Sequence, residues 1–263
     1  NTYRNVDGSP GPAYWQQKVD YEIECILDEK LQQLRGKEQI TYHNQSPSTL
    51  TYLWLQLDEN EHSVESDKHR MESRQMNQVM SENQLRMLEP WRELDKYGDK
   101  IIAITDENGD SLTYSINQTM MRVELPHPLK PGDQYVFNIS WYYNLIDRMN
   151  TTSWGRGGYE YFEKDGNSLY TIVQWYPRLC AYTDEAGWQT KQFVGRGEFA
   201  LTFGNFLVKM TVPEDHIVGA TGECMNYAQV LTPAQNQRWK EAQAATAPVE
   251  IVTLDEAKKT EKN

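Results

Sequence analysis

Apolar side chains recur at every second residue over long stretches of this chain. Tyr21, Ile23, Cys25 and Leu27 alternate with Glu22 and Glu24, and Leu34, Gly36, Glu38, Ile40 and Tyr42 alternate with Arg35, Lys37, Gln39 and Thr41. Leu53, Leu55 and Leu57 follow, with Tyr52 and Trp54 on the opposite face. A period of two is the strand period, because successive side chains of an extended backbone point to opposite sides. Each run therefore predicts a half-buried strand with one wet face. Polar turns over 28–33 and 44–49 separate the runs, which is the spacing that opens an antiparallel sheet.

Residues 61–95 break this pattern. They are polar, charged and rich in Met; Met76, Val79, Met80 and Met87 fall near helical spacing and Pro90 ends the run, which predicts a helical insertion packed on the sheet. Strand signals then return. Ile102 and Ile104 lead through Asn108-Gly109 to Leu112, Tyr114 and Ile116, the pattern of a hairpin. Met121, Val123 and Leu125 form another run, and Tyr135, Phe137, Ile139, Trp141 and Tyr143 a further one. Residues 144–168 hold Gly155, Gly157, Gly158 and Gly166 with few apolar side chains, and read as a long loop. Phe199, Leu201 and Phe203 face Phe206, Val208, Met210 and Val212 across Gly204-Asn205, a second hairpin signal in which Gly would supply a positive φ. Thr232-Pro233-Ala234-Gln235 carries the N-cap, the Pro at N1 and the N3 glutamine of a capping box, so a helix is expected to about Ala245. Val249 to Leu254 reads as a last strand. The fold class is thus mainly β, a mostly antiparallel β-sandwich or sheet assembly with a helical insertion and one late helix.

Net charge is −12. That excludes a nucleic-acid binder, which needs clustered Lys and Arg to meet phosphates, and it disfavours docking on anionic lipid. No apolar run approaches the ~18 residues of a membrane span. The opening 1–13, with Gly8, Pro10, Gly11 and Pro12, reads as a flexible linker left after processing. Of the three cysteines, Cys25 lies in register with Tyr21 and Ile23 and reads as a small buried hydrophobe.

The metal and nucleophile motifs are missing from the sequence. There is no His-Glu-x-x-His, no Gly-x-Ser-x-Gly, and Gly155-Arg156-Gly157-Gly158 lacks the Lys-Ser/Thr of a phosphate loop. His62, Glu65 and His69 would share a helical face, but its ends would lie about 10 Å apart. That is too far for one ion, so a solvated charged face is the reading. No catalytic residue and no metal ligand is assigned within this chain.

The stretch from Val173 to Trp188 is less ordinary. A polar Gln174 ends the apolar run of Tyr170 to Ile172, and Trp175, Tyr176, Pro177 and Arg178 follow. Pro177 must leave the sheet ladder, so the strand delivers a side-chain amide to its end, where it can face a cleft. Together with Tyr21-Glu22-Ile23, with Leu57-Asp58-Glu59-Asn60, with Gly195-Arg196-Gly197-Glu198-Phe199 and with Val218-Gly219-Ala220-Thr221-Gly222-Glu223, this block resembles the N-terminal domain of the aminopeptidase N family of zinc metallopeptidases. The bacterial secreted branch carrying Gln-Trp-Tyr-Pro-Arg is the most similar. The resemblance spans roughly residues 14 to 254.

It implies a saddle-like β domain over 14–254, with the helical insertion at 61–95. A frayed tail over 255–263 would lead toward a catalytic domain outside this chain. It implies zinc held in that absent domain, peptide as substrate, the chain's own catalytic domain as partner, and a periplasmic or secreted location. Gln174 would hydrogen-bond the substrate backbone. Two positions on, other aminopeptidases of the family place a Glu or Gln that reads the substrate α-amine. Here Tyr176 stands in that place; a phenol accepts a hydrogen bond but carries no charge at neutral pH, so exopeptidase action does not follow from the resemblance. The 263-residue chain alone is expected to hydrolyse nothing. The alternative is a stand-alone ligand-binding β-sandwich, for carbohydrate or peptide, or a non-catalytic scaffold, since eight Trp and sixteen Tyr could furnish stacking platforms.

Overall fold

The computed structural model describes residues 2–71, 79–86, 95–149, 156–164 and 166–259. The chain divides into two compact units, Asn1–Thr211 and Val212–Asn263.

The first unit is mainly β, a sandwich of two principal sheets with antiparallel pairing almost throughout. Its strands in chain order are β1 (Lys18–Asp28), β2 (Gln33–His43), β3 (Leu50–Gln56), β4 (Lys100–Asp106), β5 (Tyr114–Asn117), β6 (Met120–Leu129) and β7 (Gln134–Asn144). Shorter ones follow: β8 (Gly158–Phe162), β9 (Asn167–Thr171), β10 (Arg178–Leu179), β11 (Tyr182–Thr183), β12 (Gly187–Trp188) and β13 (Phe206–Thr211). One sheet has the order β13-β1-β2-β7-β4 and the other β10-β3-β6-β5, while β8-β9 and β11-β12 form two small hairpins.

Register explains the core. Rows of side chains cross the five-stranded sheet at Tyr21–Ile40–Phe137, Ile23–Glu38–Ile139, Cys25–Gly36–Trp141 and Leu27–Leu34–Tyr143. Apart from Glu38 and Gly36 these are buried aromatic, aliphatic and thiol side chains. From the second sheet, Leu53 and Leu55 pair with Val123 and Met121, all fully buried. Each fully buried aliphatic side chain of this kind contributes about 1.5–3 kcal/mol. Gly36 has a steric reason: a Cβ there would fall inside the indole of Trp141, which lies flat across β2. No helix among the described residues is long and apolar enough to cross a membrane.

Several expectations from the sequence are corrected. Residues 199–203 form no strand, and Phe206–Thr211 pairs parallel with β1 at the sheet edge. Gly204 is there for close approach and not for a hairpin turn. A Cβ on it would overlap the Val19 carbonyl, and the chain is drawn in by Val19 N–H to Phe203 O at 3.0 Å and Tyr21 N–H to Asn205 O at 2.9 Å. The Asn108-Gly109 turn closes a short hairpin, with Gly109 at φ 90°, an antiparallel bridge at Thr105–Ser111 and Leu112 N–H donating to Ile104 O at 3.0 Å, but beyond it the strands separate, β4 pairing with β7 in one sheet and β5 with β6 in the other. The glycine-rich 144–168 is not one long loop, because β8 and the start of β9 fall in it and pair as a hairpin. Asp58–His62 is a 3-10 turn separate from helix α1 (Asp67–Met71), so His62 and His69 do not share a helical face. Helix α2 spans Glu82–Arg86; the expected helical positions Met76 and Met87, and the stop at Pro90, lie outside the described residues.

In the second unit, α3 is Tyr227–Val230, α4 is Pro233–Ala242 and α5 is Leu254–Lys259. The capping box at Thr232 is present, the hydroxyl accepting from Gln235 N–H and the Gln235 amide oxygen accepting from Thr232 N–H. Residues 249–253 form no strand, and the stretch 255–263, read as a frayed tail, begins with most of α5.

Candidate functional site

Three segments meet beside the end of β3. The first is the 3-10 turn Asp58–His62, which continues β3 directly. Asn60 fixes this turn by donating its amide to Gln118 O at 2.7 Å and accepting from Asp99 N–H at 2.7 Å. The second is 172–177, which leaves the β8–β9 hairpin and returns to the second sheet as β10, with Arg178 opposite Gln56. The third is the strap 189–199, held by Phe193 N–H donating to Thr119 Oγ1 at 2.8 Å.

Gln174 lies where they meet. It is half-buried, and its φ is 52°, in the left-handed region that a residue with a Cβ enters at a cost of about 1–2 kcal/mol. It lines a small polar depression together with Val173, Asp58, Glu59 and Glu61. Arg156 and Phe193 also border it. The backbone of 172–177 is pinned on both sides of Gln174's successor residues. Trp141 Nε1 donates to Trp175 O at 3.3 Å, and Arg178 Nε lies 2.6 Å from Asp58 Oδ2. Leu179 N–H donates to Tyr21 Oη at 2.9 Å.

Tyr176 is placed otherwise. Its ring packs against Tyr21 (5.4 Å between centroids), Trp175 (5.2 Å) and Phe206 (6.1 Å), and it does not line the depression that Gln174 lines. Burial pushes its phenol up to about 12. The two residues singled out together in the sequence are thus neighbours with different surroundings.

The charges around the depression are closely balanced. Burial pushes Asp58 up, and the guanidinium of Arg178 pulls it back only in part. Burial raises Glu59 well above the usual carboxylate range, reinforced by Asp99, Glu61 and Asp58. Asp99 is raised to about 8, by burial first and Asp58 second. For Glu61 burial acts upward, but His62 and Lys68 outweigh it, so its net shift is down. Its two oxygens lie 3.1 Å from His62 Nε2 and 3.1 Å from Lys68 Nζ. Burial lowers the His62 pKa against the pull of Glu61, so the ring is a neutral N–H donor to that carboxylate. Gly195, at φ 75°, presses its backbone onto this pair so closely that a Cβ would overlap Glu61 Oε2. At the outer edge Arg156 and Glu198 are ion-paired.

Below these groups lies Glu38. It is 3% exposed, between Ile23 and Ile139 in the sheet, and neither carboxyl oxygen has a hydrogen-bond partner among the described residues. Burial raises its pKa well above the ordinary value, so it is held protonated.

The sequence reading expected Gln174 at a strand end; the structure has it in a bend three residues past β9, and the carboxylates beside it were not assembled with it. One signal was available: Glu38 falls in the same alternation as Leu34, Ile40 and Tyr42, so a titratable group was pointing inward. Chemically, the site offers an amide that can donate and accept at once, beside Asp58 and Glu61, which are already paired with Arg178 and Lys68. Among the described residues of Asn1–Thr211, no three His, Cys, Asp or Glu side chains bring ligand atoms within 4.8 Å of one another.

No protein-family model matches the sequence. No curated protein matches it either. Among solved structures, the chain is similar to a mutant M1 zinc metallopeptidase from Deinococcus radiodurans, at 14% identity and a TM-score of 0.41, over 82% of this chain and 37% of that one. A mutant of that enzyme bound to a Tyr-Ser-Ala substrate matches at 15% identity, a TM-score of 0.41 and the same coverage of 82% and 37%. The unmutated enzyme matches at 14%, with a TM-score of 0.40 over 81% and 36%. This chain thus spans 37% of the length of the first of these structures.

Proposed function

We propose that this chain is the substrate-facing β wall of a zinc-dependent peptidase of the aminopeptidase N kind, and that Gln174 holds an extended peptide by its backbone. The observation that carries the reading is the placement of Gln174: a half-buried residue lining a small polar depression, in a backbone conformation that costs free energy to maintain. The resemblance of Gln174-Trp175-Tyr176-Pro177-Arg178 to the family's segment supports the same role. The sequence carries no His-Glu-x-x-His, the pair of ligands this family's zinc would need. In this reading the metal and the bond-breaking groups belong to a catalytic domain outside the chain, and the parent protein is periplasmic or secreted.

What this chain would contribute is orientation. An amide that donates and accepts can pair with both the C=O and the N–H of an extended strand, fixing its position and direction. Fixing reactants in an attack geometry lowers a barrier without any chemistry of its own. The test is a titration of the purified chain with short peptides, followed by amide chemical shifts, together with a hydrolysis assay with added zinc. Peptide-dependent shifts around 173–175, weakened roughly tenfold in Gln174→Ala, and no hydrolysis are expected. Hydrolysis by the chain itself, or peptide shifts located only elsewhere, would overturn the reading. Glycan-dependent quenching of Trp fluorescence without peptide binding would favour the ligand-binding sandwich.

A further inference from the structure

We infer that Trp141 is a positioning residue for Gln174, acting through the carbonyl of Trp175. Trp141 stands on β7 directly opposite Gly36 of β2, and is fully buried. Because Gly36 has no Cβ, the indole can lie flat over β2 where any other residue would block it. That orientation aims Nε1 out of the sheet at Trp175 O, 3.3 Å away, and brings the two indole rings to 6.4 Å between centroids. The segment is fixed again just beyond this point, by Tyr176 against Tyr21 and Phe206 and by Arg178 beside Asp58. Between β9 and these anchors the chain must turn, and the turn falls on Gln174 at φ 52°. The left-handed backbone there is therefore imposed from outside, by an N–H on a different sheet strand, 33 positions earlier in the sequence. The consequence is positional: Gln174 lines the same depression as Asp58, Glu59 and Glu61.

The role is that of a clamp, and a clamp has a signature that simple packing lacks. Glycine at 174 relieves the left-handed cost, so Gln174→Gly should raise the melting temperature, by about 2–4 °C. Trp141→Phe keeps a ring in the core but deletes the N–H donor, and should lower it. If the clamp imposes the conformation, the two changes are coupled: in the Trp141→Phe background the gain from Gln174→Gly should fall to less than half. Strictly additive shifts would overturn the inference. Should Trp141→Phe fail to fold, hydrogen exchange in the unmutated chain decides. The Trp141 indole N–H should exchange orders of magnitude more slowly than a free indole, and exchange at the free rate would overturn the inference.

A second arm uses tri-alanine peptide as the probe and rests on the proposed peptide-binding role of Gln174. Trp141→Phe should weaken its binding roughly as much as Gln174→Ala does, five- to tenfold, with no further loss in the double variant. A Trp141→Phe chain that is destabilised yet binds tri-alanine as the wild type does would show Trp141 to be structural only. If tri-alanine binds no variant, the peptide reading fails, while the coupling of melting temperatures still decides the clamp.

Discussion

Glu38 shows what a single inward-pointing residue can impose. A carboxyl flanked by Ile23 and Ile139, with neither oxygen hydrogen-bonded to a described residue, is desolvated without compensation. Replacing it by an apolar side chain of similar volume removes that penalty, so Glu38→Met is expected to stabilise the fold by about 1–3 kcal/mol, measured by chemical denaturation. Gly36 is the opposite case. A methyl group there has nowhere to go but the Trp141 ring, and Gly36→Ala is expected to cost about 3 kcal/mol or more. Both positions were legible in the alternation of β2, which put them on the core face. The conformation of Gln174 was not. Its φ depends on partners far away in the sequence, Trp141 for Trp175 and Asp58 for Arg178, and no local pattern encodes contacts of that separation.

Elements were legible where side-chain period alone decides and illegible where pairing does. The strands β1, β2, β3 and β7 follow from alternation, and the helix behind Thr232 follows from its cap. The partner of a strand is a different matter. Gly204-Asn205 satisfies the local rule for a tight hairpin, yet the chain uses the missing Cβ to run β13 alongside β1 in parallel. Asn205 N–H is held there by Asp20 Oδ1 at 2.8 Å. Gly204→Ala should therefore release the edge strand selectively. Faster amide exchange over 206–211 is expected, with a loss of about 2–4 kcal/mol, while the β2–β7 amides stay protected. The β8–β9 hairpin escaped notice for a related reason: its strands are five residues each, and glycine-rich flanks dominate so short a signal.

At the scale of the whole molecule, every buried hydrophobic residue lies at or before Phe193, and no described residue of Val212–Asn263 is buried. A chain ending at Thr211 should thus keep a cooperative thermal transition, checked by differential scanning calorimetry. The buried carboxylates give that transition a pH dependence. Asp99 is raised from 3.8 to about 8 in the fold, so between those limits the unfolded chain ionises this group while the folded chain holds it protonated. Stability from this source is complete below about pH 4 and is lost as pH rises toward 8. His62 works against it below about pH 6.5, since its folded pKa is lowered and the unfolded ring takes up the proton. The contribution of Asp99 is isolated by comparison: the melting temperature of the wild type, relative to Asp99→Asn, should fall steadily from pH 4 to pH 8. A flat difference would remove Asp99 from the account.

The nearness of Trp141 and Trp175 also has an optical meaning. Two indoles 6.4 Å apart with planes inclined by 31° couple their electronic transitions, and the coupling varies steeply with separation and tilt. One ring is locked in the β core and the other rides on the segment that carries Gln174. Circular dichroism in the aromatic absorption bands should therefore register any shift of that segment, giving the chain a built-in chromophore pair that responds without label or turnover.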